Sequence, residues 1–363
     1  APDDPFTTRQ WDYKKRLLDS ARMEVARIER ALLAPSAQAG SLVVVNTLPW
    51  PRSGVVELDW PATIPADYAL VEDAPRGRYL PVQTLSNGRR IFVAHDVPAN
   101  GQRVYRVARA SLQANAGFQP EIAWALDSVT GAVQHFTALG RQWVQPEQYN
   151  GLGQALYVAG LNPDTFQRSK IRTITWLEKG PVLRRLRVQA ALAGTNEVVY
   201  EISQYRGLDD LLHLTTVVDK TAFREKESLH LVFPFDISDP TLRVGVGDAW
   251  ITPEQGQIPG SNRDFFSVQR WLDVSGAEAG VTIASPQGAL FEPGGMVDER
   301  LVHKGYKKWL TKNRSSATVF LYAMNNYWHT NFKADQSGRV RFDVYLLFHD
   351  AFDAGQSGRL GSE

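Results

Sequence analysis

The sequence predicts a mainly β protein with one long amphipathic helix at its start. Three observations carry this. Short apolar or alternating segments recur from Ser41 to Phe348, separated by turn residues rather than by helical periodicity. Pro49, Pro51, Pro61, Pro65, Pro75, Pro81 and Pro98 punctuate the early part of the chain too densely for long helices. A convincing helical spacing of apolar residues occurs only before residue 35. Many short strands without intervening helices argue for antiparallel sandwiches rather than an alternating α/β fold.

The elements follow in order. Leu18, Ala21, Val25, Ile28 and Leu32 recur at 3-4 spacing and paint one stripe on a helix. Lys14, Lys15, Arg22, Glu24, Arg27, Glu29 and Arg30 make its solvated face. Thr8 is the expected N-cap, and Pro35 with Gly40 ends the helix. Such a stripe needs a partner, either the β core or a helical bundle. The stripe alone leaves both open, and residues 1–40 are set apart as a helix and linker. Strands are then expected at Ser41 to Val45, Val55 to Leu58, Arg90 to Val93 and Val104 to Val107, making residues 41–112 a small antiparallel β domain. A larger β region, 113–363, opens with a turn at Asp127 to Gly131. Alternation at Leu186, Val188 and Ala190 places Arg185, Arg187 and Gln189 on the outer face of a strand. Further strands are expected at Leu212 to Val218, Leu229 to Phe233, Val281 to Ala284, Val319 to Met324 and Val340 to Phe348. The closing GQSGRLGSE reads as a Gly/Ser-rich tail without a packing element, as in a piece cut from something longer.

Composition narrows the chemistry. Among 363 residues, 40 Lys+Arg balance 39 Asp+Glu, so the net charge is +1 and nothing marks a nucleic-acid or anionic-membrane partner. The absence of cysteine removes disulfides, thiol nucleophiles and Cys-based metal sites. No apolar run has the length of a membrane span. The opening APDDPFTTRQ has no signal-peptide pattern, which tilts the expected location toward the cytoplasm.

The seven histidines, at 95, 135, 213, 230, 303, 329 and 349, stand singly, without metal-ligand spacing. No P-loop, nucleophile elbow or dinucleotide fingerprint occurs, and Gly151-Leu152-Gly153 and Gly294-Gly295 read as turns. The tryptophans are more informative, because several lie among polar residues. Sugar recognition needs an aromatic face for the apolar side of a pyranose, with amides, carboxylates and cations for its hydroxyls. The run NNYWHTNFKADQ has this mixture in Asn325, Asn326, Trp328, His329, Asn331, Lys333 and Asp335. Trp271 and Trp309 are further platforms or ordinary core residues. PGSNRDFF projects Asn262, Arg263 and Asp264 from a turn held by Phe265-Phe266, for binding or for an internal lock of Arg263 on Asp264 or on backbone. Asp209, Asp210, Asp219 and Asp264 are all available as carboxylates, and spacing alone distinguishes none of them.

These segments form an ordered set. VVNTLPWPRSGVVELDWP (44–61), IFVAHDVPANGQRVYRV (91–107), KESLHLVFPF (226–235), PGSNRDFFSVQRWLDVS (259–275), GYKKWL (305–310) and MNNYWHTNFKADQ (324–336) resemble the C-terminal half of glycoside hydrolase family 38 α-mannosidases, particularly the bacterial type. The resemblance covers nearly the whole chain. It implies that residues 1–40 are the terminal helix of a helical bundle with its linker, followed by a small β-sandwich and a large galactose-mutarotase-like supersandwich, acting on α-mannosides as part of a retaining, zinc-dependent enzyme. It also implies that the zinc ligands and the aspartate nucleophile lie in an N-terminal catalytic domain. That domain would be this chain's partner, with homo-oligomer formation left open. No metal, cofactor or catalytic residue is then expected here. Asn262, Arg263, Asp264 and the 325–335 run match the family text and are expected to line or support the sugar pocket, with Trp271. Tyr157 falls in Ala155-Leu156-Tyr157-Val158-Ala159-Gly160, similar to the family's Tyr-Leu-Tyr-x-Pro-Gly. Ala155 and Ala159 depart from it, removing an expected pocket tyrosine and implying altered specificity. The alternatives are a self-sufficient carbohydrate-binding module, or an epimerase or lyase, which would need a histidine and a carboxylate converging in a cleft.

Overall fold

The computed structural model describes residues 4–33, 41–59, 68–73, 77–109, 123–303, 309–327 and 335–363. It is mainly β, as expected, and divides into two compact units. One comprises residues 1–119 with 178–184 and 205–207; the other holds the remainder.

In the first unit the N-terminal helix runs Pro5–Leu33. Its cap is Asp4 rather than Thr8: Asp4 Oδ1 accepts the Phe6 amide at 2.9 Å. Asp followed by Pro at the first helical position satisfies an orphan amide and pre-sets φ, so the helix starts four residues earlier than a Thr8 cap implies. Leu18, Val25 and Ile28 on that stripe are exposed. Beyond the helix, Ser41–Asn46, Gly101–Arg109, Tyr68–Asp73 and Arg78–Pro81 form a four-stranded sheet. Arg52–Leu58, Arg90–Val97 and Gln83–Thr84 form a three-stranded one. Val71, Leu80, Val82, Phe92, Ala94, Val97 and Tyr105 make their core.

Residues 178–184 and 205–207, which the sequence reading placed in the large domain, pack with this unit because of Gln83. Its buried Oε1 accepts the amides of Val182 at 3.1 Å and Leu183 at 2.7 Å, and its Nε2 donates to Glu178. Glu178 also accepts the Ser86 amide at 2.8 Å. The hairpin tip must be glycine here, since a Cβ on Gly180 would lie 2.1 Å from the Gln83 amide carbon.

The second unit is a sandwich of two large antiparallel sheets. The nine-stranded sheet orders Lys170–Lys179, Leu183–Ala191, Thr195–Tyr205, Leu211–Lys220, Gly338–His349, Gly280–Ala284, Leu272–Ser275, Thr241–Val246 and Ala249–Ile251. The six-stranded sheet orders Gln167–Arg168, Gln154–Ala159, Glu227–Pro234, Thr318–Asn325, Leu290–Pro293 and Phe266–Ser267. Period-2 alternation sends Leu186, Val188, Leu212, Leu214, Val344 and Leu346 of one sheet against Leu229, Leu231, Phe233, Val319 and Leu321 of the other. The expected Asp127 turn closes the hairpin between Ala123–Leu126 and Val133–Ala138, with Asp127 Oδ1 accepting the Thr130 amide at 2.7 Å. Arg187 lies opposite the core, as expected, and pairs with Glu201 at 2.6 Å.

The C-terminal segment departs from expectation. It is a helix, Ala354–Ser362, whose N-cap Asp353 accepts the Gln356 amide at 3.0 Å. Its buried Ser357 shares a hydrogen bond with Thr282 at 2.8 Å. Gly361 lies so near Trp271 that a Cβ would approach the indole at 2.8 Å. Poor helix formers are helical here because a cap and tertiary packing outweigh propensity.

Candidate functional site

The six-stranded sheet has a second face, turned away from the shared core, and its polar residues converge there. On Glu227–Pro234, Ser228 and His230 occupy alternate positions on that face, beside Val232. His230 is buried and fully engaged, with Nδ1 2.7 Å from Glu292 Oε2 and Nε2 2.8 Å from Ser228 Oγ. The neighbouring strand contributes Tyr322, stacked on the imidazole with ring centroids 4.7 Å apart. The Tyr322 hydroxyl donates to Glu299 Oε1 at 3.1 Å. Tyr327, just beyond that strand, bonds both Ser228 Oγ and the Gly160 carbonyl. The second oxygen of Glu292 accepts the Val297 amide at 2.8 Å, which fixes the turn leading to Glu299.

The predicted loop 262–264 joins this group. Asn262 Oδ1 accepts the Asp264 amide at 2.7 Å, an Asx turn that directs the next carboxyl inward. Asp264 is buried and accepts the Leu310 amide at 3.0 Å. Arg263 donates to the Thr311 carbonyl, the backbone lock that the sequence reading left open. Phe265 meets both Trp309 and Tyr322 edge-on at 6.3 Å. Asn325 ends its strand opposite Ser228, and buried Asn326 donates to the carbonyls of Phe223 and Glu225. Asp335 pairs with Arg224 at 3.0 Å, so it too returns to the segment entering Glu227–Pro234. Lys226 donates to the Tyr327 carbonyl. Trp328, His329, Asn331 and Lys333 lie outside the described residues.

Burial sets the electrostatics. It pushes the Glu299 carboxyl up to about 7, aided by the charges of Glu292 and Asp264 and opposed by the Tyr322 bond. Burial likewise raises Asp264, against the Leu310 amide and Arg314, with Glu292 and Asp298 adding to the rise. The Tyr322 hydroxyl moves far upward for the same reasons. The cluster therefore holds a carboxyl that exchanges its proton near neutrality, next to an aromatic wall.

Two expected residues are elsewhere. Tyr157 lies on the core face of its strand and donates to Glu227 Oε2 at 2.7 Å, with Lys220 paired to the same glutamate at 2.8 Å. Burial and that glutamate raise its hydroxyl well above the usual tyrosine range. Fully buried Ala155 also faces the core, so a tyrosine at 155 would change packing rather than a pocket. Trp271 is buried beneath the C-terminal helix, 6.2 Å from Phe352, and is no open platform. It immediately precedes Leu272–Ser275 of the nine-stranded sheet, whereas the cluster is built on the six-stranded one.

His230, Glu292, Glu299, Tyr322 and Tyr327 were not singled out by the sequence reading. The signal was a Ser-x-His pair within the otherwise apolar strand KESLHLVFPF, since polar residues two apart on a buried strand share a face and demand partners. Two further histidine–carboxylate pairs, His213 with Asp343 at 2.9 Å and His349 with Asp273 at 2.8 Å, are equally invisible to spacing. Among the described residues no group of three His, Asp or Glu converges to hold a metal ion.

A search against protein-family models finds no match, nor does one against curated proteins. Solved structures do match. An α-mannosidase from Enterococcus faecalis V583 aligns over 89% of this chain and 46% of its own, with a TM-score of 0.56 at 11% identity. A glycosyl hydrolase family 38 protein from Enterococcus faecalis covers 88% and 46%, at 0.55 and 12%. This chain shares its fold with part of a family 38 glycoside hydrolase. It spans about half the length of those two structures. A galactose 1-epimerase from Lactobacillus acidophilus NCFM aligns more loosely, over 83% of this chain and 100% of its own, at a TM-score of 0.39 and 8% identity.

Proposed function

We propose that this chain is the β portion of a retaining, zinc-dependent α-mannosidase of family 38, without catalytic activity of its own. Its outer-face cluster walls the mannose pocket. The zinc and the nucleophilic aspartate belong to the catalytic portion, which binds and cleaves the terminal α-mannoside. The carrying observation is that the carboxyls of Asp264 and Glu299 lie beside the aromatic group of Phe265, Trp309 and Tyr322, at the anchored 262–264 loop. Carboxyl acceptors for sugar hydroxyls next to an aromatic face form a site for a pyranose. The fold shared with part of an α-mannosidase supports the same reading.

The test is hydrolysis of an aryl α-mannoside. This chain alone should give no turnover, with or without zinc. Joined to its catalytic portion it should be active, and Asp264→Asn should then lower kcat/KM by about tenfold or more, the scale of one charged contact to substrate. Zinc-dependent turnover by the chain alone would overturn the proposal. So would unchanged kcat/KM in a correctly folded Asp264→Asn protein.

A further inference from the structure

The small unit holds a groove of about 250 Å³ that plays no part in the cluster described above. Its floor is apolar: Leu80 and Val93 from two strands, Pro81, and Val182 from the hairpin tip. Tyr79 stands exposed at its rim. Two nitrogen-bearing side chains complete the lining, half-buried His95 and exposed Arg206. The Arg206 amide donates to the Val182 carbonyl at 2.9 Å, so the arginine is fixed to the hairpin tip at its backbone. Its guanidinium has no carboxylate partner among the described residues. Gly207 makes room for the imidazole: it sits at φ +75°, and a Cβ there would approach His95 Cε1 at 3.0 Å.

The chemistry of this lining is one-sided. It offers an aromatic ring, an apolar floor and cationic or donor groups. Among the described residues, no Asp, Glu, Asn or Gln lines the groove. Neutral sugars are held largely by such acceptors, through their hydroxyl hydrogens. A ligand suited to this groove must therefore bring the acceptors itself, as a phosphate or carboxylate does. The volume falls below the roughly 300 Å³ at which pockets for drug-sized ligands begin, so it fits one ring rather than a chain of them.

We propose that this groove is a binding site for a single pyranose bearing an anionic group, with the ring on Tyr79 and the anion on Arg206 and His95. The proposal does not depend on the mannosidase reading.

Ligand-observed saturation-transfer NMR with the intact chain tests it, using glucuronate and glucose 6-phosphate as probes and glucose and inorganic phosphate as controls. Both acidic sugars should bind saturably, and each control at least about tenfold more weakly, as expected when one charged contact or one stacked ring is lost. Arg206→Ala and Tyr79→Ala alter exposed side chains, and each should weaken binding by a similar factor, whereas Asp264→Asn should leave it unchanged. Absence of binding would overturn the proposal. So would glucose binding as well as glucuronate with the same loss in Arg206→Ala and Tyr79→Ala, or inorganic phosphate matching glucose 6-phosphate. Binding that disappears in Asp264→Asn but survives Arg206→Ala would place the ligand at the other cluster and defeat this assignment, leaving the mannosidase reading intact.

Discussion

At the level of single residues, Glu299 is the group whose burial has the clearest solution consequence. Its carboxyl titrates near 7 in the folded chain, against 4.5 for an ordinary glutamate. A folded-state value raised above the unfolded one means the folded protein holds the proton more tightly. The associated stability is complete below about pH 4.5, declines as the pH rises, and is gone above about 7. Urea unfolding at pH 5 and pH 8 should therefore show a loss toward the higher pH that Glu299→Gln largely abolishes, since the amide stays neutral throughout. An identical loss in the variant would show that other groups cause it. Little of this could be read beforehand. Nothing near Asp298-Glu299-Arg300 distinguishes that carboxyl from others in the chain; its neighbours Glu292 and Tyr322 come from other segments. By contrast the turn at Pro259-Gly260 was legible, because its cause is local to the PGSNRDFF text, although the bond from the Asp264 amide to Asn262 was not.

Among the elements, those with a periodic core face were the most legible. Leu211–Lys220 and Gly338–His349 carry apolar residues at alternate positions, Leu212, Leu214 and Val218 in one and Val340, Phe342, Val344, Leu346 and Phe348 in the other, enough to place them although burial extends to intervening positions. Thr195–Tyr205 escaped notice because its outward positions include Glu197, Glu201 and Ser203, side chains that the neighbouring strand satisfies with Gln189, Arg187 and Arg185. The C-terminal helix was missed because its residues are poor helix formers and its support is tertiary. Deleting residues 353–363 should remove the Ser357–Thr282 bond and the cover that Gly361 gives Trp271. Asp273 and His349, both bonded to or near Thr282, would then meet water. The expected outcome is a loss of about 2–4 kcal/mol, the scale of opening a buried polar network. A red-shifted tryptophan emission should accompany it and vanish when Trp271→Phe is added. Unchanged emission would mean the helix does not shield that ring.

For the molecule as a whole, the two units have separate cores, yet their sequences interleave. Residues 178–184 and 205–207, at the ends of three strands of the nine-stranded sheet, belong to the small unit. A fragment of residues 120–363 should keep its sandwich core but lose the acceptor that Gln83 provides to the Val182 and Leu183 amides. Hydrogen exchange should then find those two amides protected in the whole chain and fast in the fragment, while Leu229 and Leu231 stay protected in both. Equal protection of the tip amides in both would show that the hairpin holds itself. The interleaving also fixes an order of events during synthesis. Residues 41–109 leave the ribosome well before Val182 and Arg206 have been translated. The first-made unit cannot close its last hydrogen bonds, nor shape the groove beside Tyr79, until the ribosome has added roughly a hundred more residues. At ordinary elongation rates of about 5–20 residues per second that is a wait of several seconds. For that interval Gln83 stands without the backbone it is shaped to hold, and a nascent-chain chaperone would find its opening there.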